Sequence, residues 1–338
     1  MSRLVVVVPA YNESEGLREF HARLATVLNG AELQKLDVAA SVLYVDDGSR
    51  DDTWDVISIL RAADARVAAL RLSRNFGKEL ALTAGLDHVD ADTIVDAAVV
   101  IDADLQDPPE LIATFVERWR EGYDVVYGTR ASRAGESAFK KWTSSAFYRV
   151  MEHLSQTPMP RDTGDFRLLS RRALDALKQV RERQRFMKGL FAWVGFRQIA
   201  VVYRRDPRHT GTSKWNYWRL WNFAIDGITS FSSAPLKIAT YVGVASALLA
   251  FVFALWVFGK ALVFGDPVRG YPSLMVVVLF LGGLQLMALG ILGEYIGRLY
   301  IESKQRPLYL VGDYHPPRLV SGDFATSSQT RETDSCAS

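Results

Sequence analysis

The sequence predicts an α/β protein with a Rossmann-like, mostly parallel sheet, followed by two membrane-spanning helices. Short apolar strands, loops and helical segments alternate through the first half of the chain, an order typical of a parallel sheet covered by helices. Acidic residues follow several of these strands. Two long segments without charged residues, 238–258 and 273–293, come late in the chain. The chain therefore divides into a sheet domain and a membrane part.

The predicted elements follow one another in short order. Strands are expected at residues 4–8, 42–45, 67–72, 97–101 and 124–127, and the first is rich in β-branched residues, which indicates burial on both faces. Helices are expected at 14–28, after Asp51 or Asp52, from about 79 to 88, and from Pro108 with Asp107 as its N-cap. The carboxyl ends of parallel strands share one edge, where ligands bind. Five acids fall there: Glu13, Asp46, Asp47, Asp102 and Asp104.

Asp102 and Asp104 end the apolar run 97–101 and predict a metal site. In an extended chain, side chains two residues apart point the same way, roughly 6.6 Å apart at about 3.3 Å per residue. Paired carboxylates repel each other unless a cation lies between them, and Mg²⁺ or Mn²⁺ takes oxygen ligands. Gln106 adds an amide oxygen. The alternative is a strand-to-helix turn that is rich in Asp because Asp suits turns.

Composition and missing motifs exclude several classes. Lys and Arg number 40 against 38 Asp and Glu, a net charge of +2 that gives no general case for nucleic acid. One cysteine, Cys336, allows no disulfide framework. The run 4–8 is too short for a signal peptide. Neither Gly-x-Gly-x-x-Gly after the first strand nor Gly-x-x-x-x-Gly-Lys-Ser/Thr occurs, so phosphate must be held by a metal and by cationic side chains.

The segments 238–258 and 273–293 are long enough to span a bilayer. The alternative is a helical hairpin buried in a soluble core. Basic residues flank both outer ends, which places the flanks and the sheet domain in the cytoplasm: Arg204, Arg205, Arg208, Lys214, Arg219 and Lys237 before the pair, and Arg298, Lys304 and Arg306 after it. Aromatic and basic residues alternate in 136–154 and 215–231, which predicts interfacial amphipathic helices, unless these are ordinary core-facing helices.

Three motifs in order resemble those of family 2 glycosyltransferases: Val-Pro-Ala-Tyr-Asn-Glu from Val8, Val-Asp-Asp-Gly-Ser from Val45, and Asp-Ala-Asp-Leu-Gln-Asp-Pro-Pro-Glu from Asp102. The longer match is to bacterial polyprenyl-phosphate glycosyltransferases and dolichol-phosphate mannose synthases, and it extends to about Tyr309. Further matching segments begin at Arg74, Thr163, Met187, Arg208 and Gly293. The resemblance implies a GT-A catalytic domain in residues 1–213, a juxtamembrane helix in 214–235, a transmembrane hairpin in 236–300 and a cytoplasmic, partly disordered tail in 301–338.

The same resemblance implies roles for single residues. Pro9, Tyr11, Glu13 and Asp46 would hold the nucleoside, and Asp102, Asp104 and Gln106 the Mg²⁺ or Mn²⁺ on the diphosphate. Asp165 would face the sugar as catalytic base or orienting acid. A lipid phosphate is largely ionised near pH 7, since its second pKa is about 6, so Asp165 is expected to orient groups more than to move protons. The alternatives are strand-end packing for Pro9 and Tyr11 and a turn aspartate for Asp165.

Cationic residues suit the phosphate groups of donor and acceptor. Arg130 follows a predicted strand, and a guanidinium binds oxyanions bidentately, so it is assigned to the acceptor phosphate. A glycine-containing loop is expected to close over the diphosphate with Arg205, Arg208, Ser213 and Lys214. The alternative for this loop is an ordinary charged connection or a patch facing the membrane surface.

The implied reaction is inverting transfer of a hexose from a nucleotide diphosphate sugar to polyprenyl phosphate at the bacterial inner membrane. UDP-glucose and undecaprenyl phosphate are the first expectation; GDP-mannose or another UDP-sugar, such as N-acetylglucosamine or an aminoarabinose derivative, stays open. A homo-oligomer, such as a tetramer, through the transmembrane helices is also expected. One rival is a processive polysaccharide synthase, whose Gln-x-x-Arg-Trp motif is missing. The other is an inactive membrane scaffold, against which the intact acids argue.

Overall fold

The computed structural model describes residues 1–89, 95–130, 163–183, 185–203, 234–264 and 270–318. Its strands are β1 (Ser2–Ala10), β2 (Val38–Asp46), β3 (Val67–Leu72), β4 (Ala97–Val100), β5 (Val125–Arg130), β6 (Thr163–Ser170), β7 (Gln198–Tyr203) and β8 (Val311–His315). Its helices are α1 (Leu17–Leu28), α2 (Ala31–Lys35), α3 (Thr53–Ala63), α4 (Lys78–His88), α5 (Leu111–Arg120), α6 (Arg171–Gln179), α7 (Met187–Trp193), α8 (Ala234–Phe264) and α9 (Tyr271–Ser303).

The strands form one mixed sheet in the order β7-β5-β6-β4-β1-β2-β3-β8. Four pairs are parallel: β1 with β2, β1 with β4, β2 with β3, and β5 with β7. The predicted α/β sheet, mostly parallel, is therefore confirmed. The other three pairs, β4 with β6, β5 with β6, and β3 with β8, are antiparallel. Strand β6 thus separates β4 from β5, although β5 follows β4 along the chain.

Strand β1 lies at the centre of the core, as its β-branched residues predict. Val6 and Val8 pack on one face with side chains of α1, α3 and α5. Val5 and Val7 pack on the other face with side chains of α4, α6 and α7. Each buried valine contributes roughly 1.5–3 kcal/mol relative to an exposed one. Helices therefore cover both faces of the sheet.

One predicted helix start is confirmed and one is wrong: α3 begins at Thr53, directly after Asp52, as expected. The side chain of Asp51 accepts hydrogen bonds from the backbone N–H and the hydroxyl of Thr53, at 3.1 and 2.6 Å, at the start of α3. The prediction that Asp107 caps a helix from Pro108 is wrong: α5 begins at Leu111. Asp107 is buried and accepts a hydrogen bond from the Tyr203 hydroxyl instead. This hydrogen bond therefore connects the loop before α5 with the end of β7.

The late apolar segments form two long helices, α8 of 31 residues and α9 of 33 residues. Within the described part of the chain, one segment, Phe280–Ser303, is apolar and long enough to cross a membrane, and the other apolar segment, Ile238–Phe253, is shorter. By length and composition, the described residues thus contain one candidate span, and the predicted pair of spans stays a prediction. The predicted interfacial helices at 136–154 and 215–231 lie outside the described residues.

The chain returns to the sheet after α9, where the sequence predicted a tail. Strand β8 pairs antiparallel with β3 and forms the edge of the sheet. Glu302 accepts hydrogen bonds from the backbone N–H and the guanidinium of Arg183, at 2.6 and 3.1 Å. The Tyr309 hydroxyl donates to Asp87 at 2.9 Å. The end of the helical hairpin is therefore fastened to the sheet domain by side chains and by backbone.

Candidate active site

Register brings two predicted site residues together at the carboxyl edge of the sheet. Strand β6 runs antiparallel to β4 with Val100 opposite Arg167. Continuing this pairing by two residues sets Asp102, which follows β4, opposite Asp165 near the start of β6. The side chains of both are mostly buried, at 19% and 12% exposure. The predicted acid of the metal site and the predicted catalytic acid thus share one place.

Lys78, the first residue of α4, lies between these two carboxylates. Its Nζ is 2.7 Å from an oxygen of Asp102 and 2.5 Å from an oxygen of Asp165. The second oxygen of Asp165 is buried and has no hydrogen-bond partner among the described residues. Two acids and one ammonium therefore form a compact charged cluster with one acceptor atom still unused.

The cluster members shift one another's pKa values. Burial raises the pKa of Asp102 above its usual range, and the carboxylate of Asp165 adds to the rise. Burial acts on Asp165 in the same direction, but Lys78 and Lys188 hold the pKa of Asp165 well below its usual value. Burial opposes charge on Lys78, yet the two carboxylates raise its pKa. At neutral pH the cluster therefore contains a charged ammonium and an ionised Asp165.

Two further ionisable side chains, Arg167 and Glu79, lie near Asp165. The guanidinium of Arg167 donates to the backbone oxygens of Gly164 and Asp165, at 2.8 and 3.3 Å, and lies 3.8 Å from the centre of the Phe191 ring. Glu79 accepts a hydrogen bond from the backbone N–H of Met187 at 3.0 Å. Burial, with the charge of Asp165, raises the pKa of Glu79 to about 7. Arg167 thus holds the backbone at Asp165, and Glu79 holds the first residue of α7.

The remaining predicted metal ligands lie on the loop after Asp102. Leu105 has a left-handed backbone with φ 58°, and the N–H of Gln106 donates to the carboxylate of Asp104 at 3.1 Å. No group of three His, Cys, Asp or Glu side chains suited to a metal occurs among the described residues. The predicted ligands, Asp102, Asp104 and Gln106, are two acids and an amide, so they are not a group of that kind. Its donors are all oxygen, beside an unused carboxylate oxygen, and this chemistry fits a hard divalent cation.

The predicted nucleoside residues occupy the neighbouring strand ends. Pro9 lies in β1 and Asp46 ends β2, and both are buried, whereas Tyr11 is 39% exposed. The backbone N–H of Glu13 donates to the Thr53 hydroxyl at 2.9 Å. One oxygen of Asp46 accepts the N–H of Ser49 at 2.9 Å. The other lies 3.3 Å from Nε of Arg71 and makes no hydrogen bond within the part of the chain that the structure describes.

Asp47 was expected at the carboxyl edge with the other acids, and the structure adds a structural role for it. Its two oxygens accept the backbone N–H groups of Phe76 and Gly77, at 2.7 and 2.9 Å. Gly77 has φ 96°, a conformation that favours glycine. At Gly48, a Cβ would lie 2.4 Å from the backbone of Arg74. The loops after β2 and β3 therefore interlock, and this contact sets the position of Lys78.

Neither Asp47 nor Lys78 received a role from the sequence, although both belong to segments that carried the resemblance. The available signal was a charged residue beside a glycine in the loop after a strand: Asp47 beside Gly48, and Lys78 beside Gly77. Most of the residues predicted to bind phosphate lie outside the described residues. Arg130 ends β5, opposite Tyr203 of β7, and nothing is described of its side chain. Four others, Arg205, Arg208, Ser213 and Lys214, lie outside the described residues.

The chain matches two family models. The model described as glycosyl transferase family 2 matches residues 5–178, and the one described as GtrB C-terminal hairpin matches residues 234–299. An uncharacterized glycosyltransferase, sll0501, of Synechocystis is 50% identical and covers 92% of this chain and 95% of its own. The bactoprenol glucosyl transferase of Shigella phage SfV is 45% identical, over 91% of this chain and 98% of its own.

A third relative is the SfII prophage-derived bactoprenol glucosyl transferase of Shigella flexneri, 44% identical over 93% of this chain and 98% of its own. These matches span both the GT-A-like sheet domain and the helical hairpin. The family that they indicate is the one that the sequence motifs resemble, and those motifs supply the acids at the carboxyl edge of the sheet. The chain is a glycosyltransferase and belongs to glycosyltransferase family 2.

Proposed function

We propose that this glycosyltransferase transfers glucose, with inversion, from UDP-glucose to a polyprenyl phosphate such as undecaprenyl phosphate. The observation that carries the proposal is the cluster of Asp102, Lys78 and Asp165 at the carboxyl edge of the sheet. It occurs in a chain that is 45% identical to a bactoprenol glucosyl transferase over nearly its whole length. Donors with another sugar or nucleotide, GDP-mannose among them, are the second candidates.

The donor would lie along the ends of β1, β2 and β4. Pro9, Tyr11, Glu13 and Asp46 surround the nucleoside in this proposal, with the exposed Tyr11 ring against the base. Asp102, Asp104 and Gln106 would hold Mg²⁺ or Mn²⁺. When bound, such an ion neutralises negative charge on the diphosphate and so makes it a better leaving group. The ligand oxygens come from one loop, so their spacing depends on the left-handed turn at Leu105.

Asp165 would orient the reacting groups as a carboxylate. Its lowered pKa means that it holds no proton at neutral pH and is a weak base. A lipid phosphate with a second pKa of about 6 arrives mostly ionised, so the attacking oxygen needs little proton abstraction. The buried, unused oxygen of Asp165 is available to accept a hydroxyl proton of the sugar in a hydrogen bond. Sugar orientation is therefore the role that suits this residue.

The acceptor would reach the site from the membrane side. Helices of 31 and 33 residues are about 46 and 50 Å long at 1.5 Å per residue, more than the roughly 30 Å of a hydrocarbon core. Large apolar side chains are exposed along both, as at Leu248 and Leu286 with 60% and 71%. We assign both helices to the membrane, with the sheet domain in the cytoplasm and an oligomer formed through the helices.

Cationic residues would receive the two phosphate groups. Arg130 ends a strand, so the sheet fixes its backbone, and it is assigned to the acceptor phosphate. Arg205, Arg208, Ser213 and Lys214 are assigned to the loop that closes over the diphosphate. Guanidinium and ammonium groups suit these ligands because they donate charge-assisted hydrogen bonds to phosphate oxygens.

The test is an assay of the full chain in lipid vesicles with a panel of nucleotide sugars, with and without undecaprenyl phosphate. Nucleotide release and radiolabelled lipid are measured together. We expect both products with UDP-glucose, and only when the lipid phosphate is present. Asp104→Asn should abolish them, whereas Asp55→Asn, an exposed acid on α3, should not. Absence of a lipid-linked sugar with every donor would refute the proposal, and product from GDP-mannose alone would select the second candidate.

A further inference from the structure

The role of Lys78 is not explained by donor or acceptor binding as proposed above. We propose that Lys78 is a positioning residue that occupies the cation position between Asp102 and Asp165 before the donor arrives, and that a divalent ion displaces it from Asp102. This inference rests on the proposed metal site. It gives the enzyme a resident cation that keeps both carboxylates oriented while the metal and the donor are absent.

Contact geometry supports this role. The ammonium lies within 2.7 Å of both carboxylates and so bridges an acid of the proposed metal set and the proposed catalytic acid. A divalent ion held by Asp102 would use oxygen lone pairs that now accept from the ammonium. Among the described residues, Lys78 is the cation within ion-pair distance of Asp102. Metal binding and the Lys78–Asp102 contact therefore compete.

Mobility of the lysine head makes such an exchange feasible. The backbone of Lys78 is fixed, because Asp47 holds the preceding N–H groups of Phe76 and Gly77. Its side chain is 47% exposed, compared with 19% for Asp102 and 12% for Asp165. A lysine is a point charge on a flexible stem of four carbons. The flexible stem therefore allows the ammonium to move while the backbone of Lys78 stays in place.

The other cations near Asp165 are placed differently. Arg167 is buried, and its guanidinium is held by two backbone oxygens and the Phe191 ring. Lys188 contributes positive charge at Asp165 but forms no described ion pair with Asp102. These two groups would continue to neutralise Asp165 after Lys78 turns away. Asp102 would then depend on the metal, so the exchange leaves neither acid without a counter-charge.

The experiment measures Mn²⁺ affinity of the full chain in detergent without any donor, by electron paramagnetic resonance of the unbound ion. Lys78→Met removes the competing charge, and we expect Mn²⁺ to bind about tenfold tighter or more, since each nearby unit charge changes a cation's affinity strongly at short range. Lys78→Arg keeps the charge and should stay within about threefold of the wild type. Lys35→Met, at an exposed position of α2, is the matched control and should also stay within about threefold.

Turnover gives the second readout. Lys78→Met should lower kcat while it tightens Mn²⁺ binding, a combination that a merely structural role would not produce. Unchanged or weaker Mn²⁺ binding in Lys78→Met would overturn the inference. If that variant does not fold, as judged by thermal melting, Lys78→Gln is used with the same criteria. Failure of the proposed metal site looks different: the wild type itself would then show no Mn²⁺ binding that Asp104→Asn removes.

Discussion

Replacing Asp47 by alanine tests how the strand-end loops position the site. Asp47 is buried and accepts two backbone hydrogen bonds, at 2.7 Å from Phe76 and 2.9 Å from Gly77. Hydrogen bonds to a charged group contribute roughly 1.5–3 kcal/mol each. Burial raises the pKa of Asp47, which shows that part of this gain offsets desolvation of the carboxylate. We therefore expect Asp47→Ala to lose about 2–4 kcal/mol of local stability.

The functional consequence follows from the position of Lys78 directly after this loop. Without Asp47, the N–H groups of the loop lose their acceptor, and the start of α4 is no longer held against β2. We expect turnover to fall at least about tenfold, the factor that corresponds to 1.4 kcal/mol, together with a lower melting temperature of the full chain in detergent. Both are measured by a nucleotide-release assay and by a thermal melt.

Asp52 supplies the matched control, because it lies five residues further on, is exposed, and its side chain makes no capping hydrogen bond at α3. Asp52→Ala should keep wild-type turnover and melting temperature. An Asp47→Ala enzyme that behaves like Asp52→Ala in both measurements would refute the reasoning, because the loop would then hold its shape without the carboxylate.

Three other predictions test the remaining parts of the proposal. Arg130→Ala should weaken the apparent affinity for polyprenyl phosphate by about tenfold to a hundredfold, the loss of one charge-assisted hydrogen bond, with donor affinity unchanged in calorimetry; loss of donor binding instead would reverse the two sides of the site. The pKa of Glu79 is about 7 in the folded chain against a usual 4.5, so its contribution to stability is full below pH 4.5 and is lost as the pH rises through about 7. Glu79→Gln should therefore remove a decline of about 2–4 kcal/mol in unfolding free energy between pH 4.5 and 8, and an equal decline in wild type and variant, followed by thermal melts, would contradict the assignment. A cysteine placed in residues 265–270 should react with an impermeant reagent outside intact cells, while one near Lys214 should not; the opposite labelling would place the sheet domain outside the cytoplasm.

Much of the fold could be predicted from local patterns alone. The β-branched run around Val6 indicated a strand buried on both faces, because each of its side chains is apolar, and the structure places that strand at the centre of the sheet. Alternation of strands and helices indicated the sheet type. The order of three short motifs indicated the family. Each of these signals lies within a few neighbouring residues, so a sequence is sufficient to show it.

Pairing between distant strands was decided by the tertiary structure. The sequence marked Asp102 and Asp165 as acids of interest, but only the antiparallel register of β4 and β6, with Val100 opposite Arg167, brings them to one place. The same holds for β8, which follows the helical hairpin along the chain and yet pairs with β3 of the sheet domain. Register depends on which strands meet, and that choice depends on packing over the entire sheet.

The charged cluster of Lys78, Asp102 and Asp165 depends both on the sequence and on the tertiary structure. The sequence by itself determined that acidic and amide side chains follow the strand before Asp102, and that neither Gly-rich phosphate-loop motif occurs. It assigned nothing to Lys78, because a lysine at the start of a helix is ordinary on its own. Its role arises from two contacts that join residues 24 and 87 positions apart along the chain. Ion pairs form wherever folding brings opposite charges within a few ångströms, and that distance exists only in the folded chain.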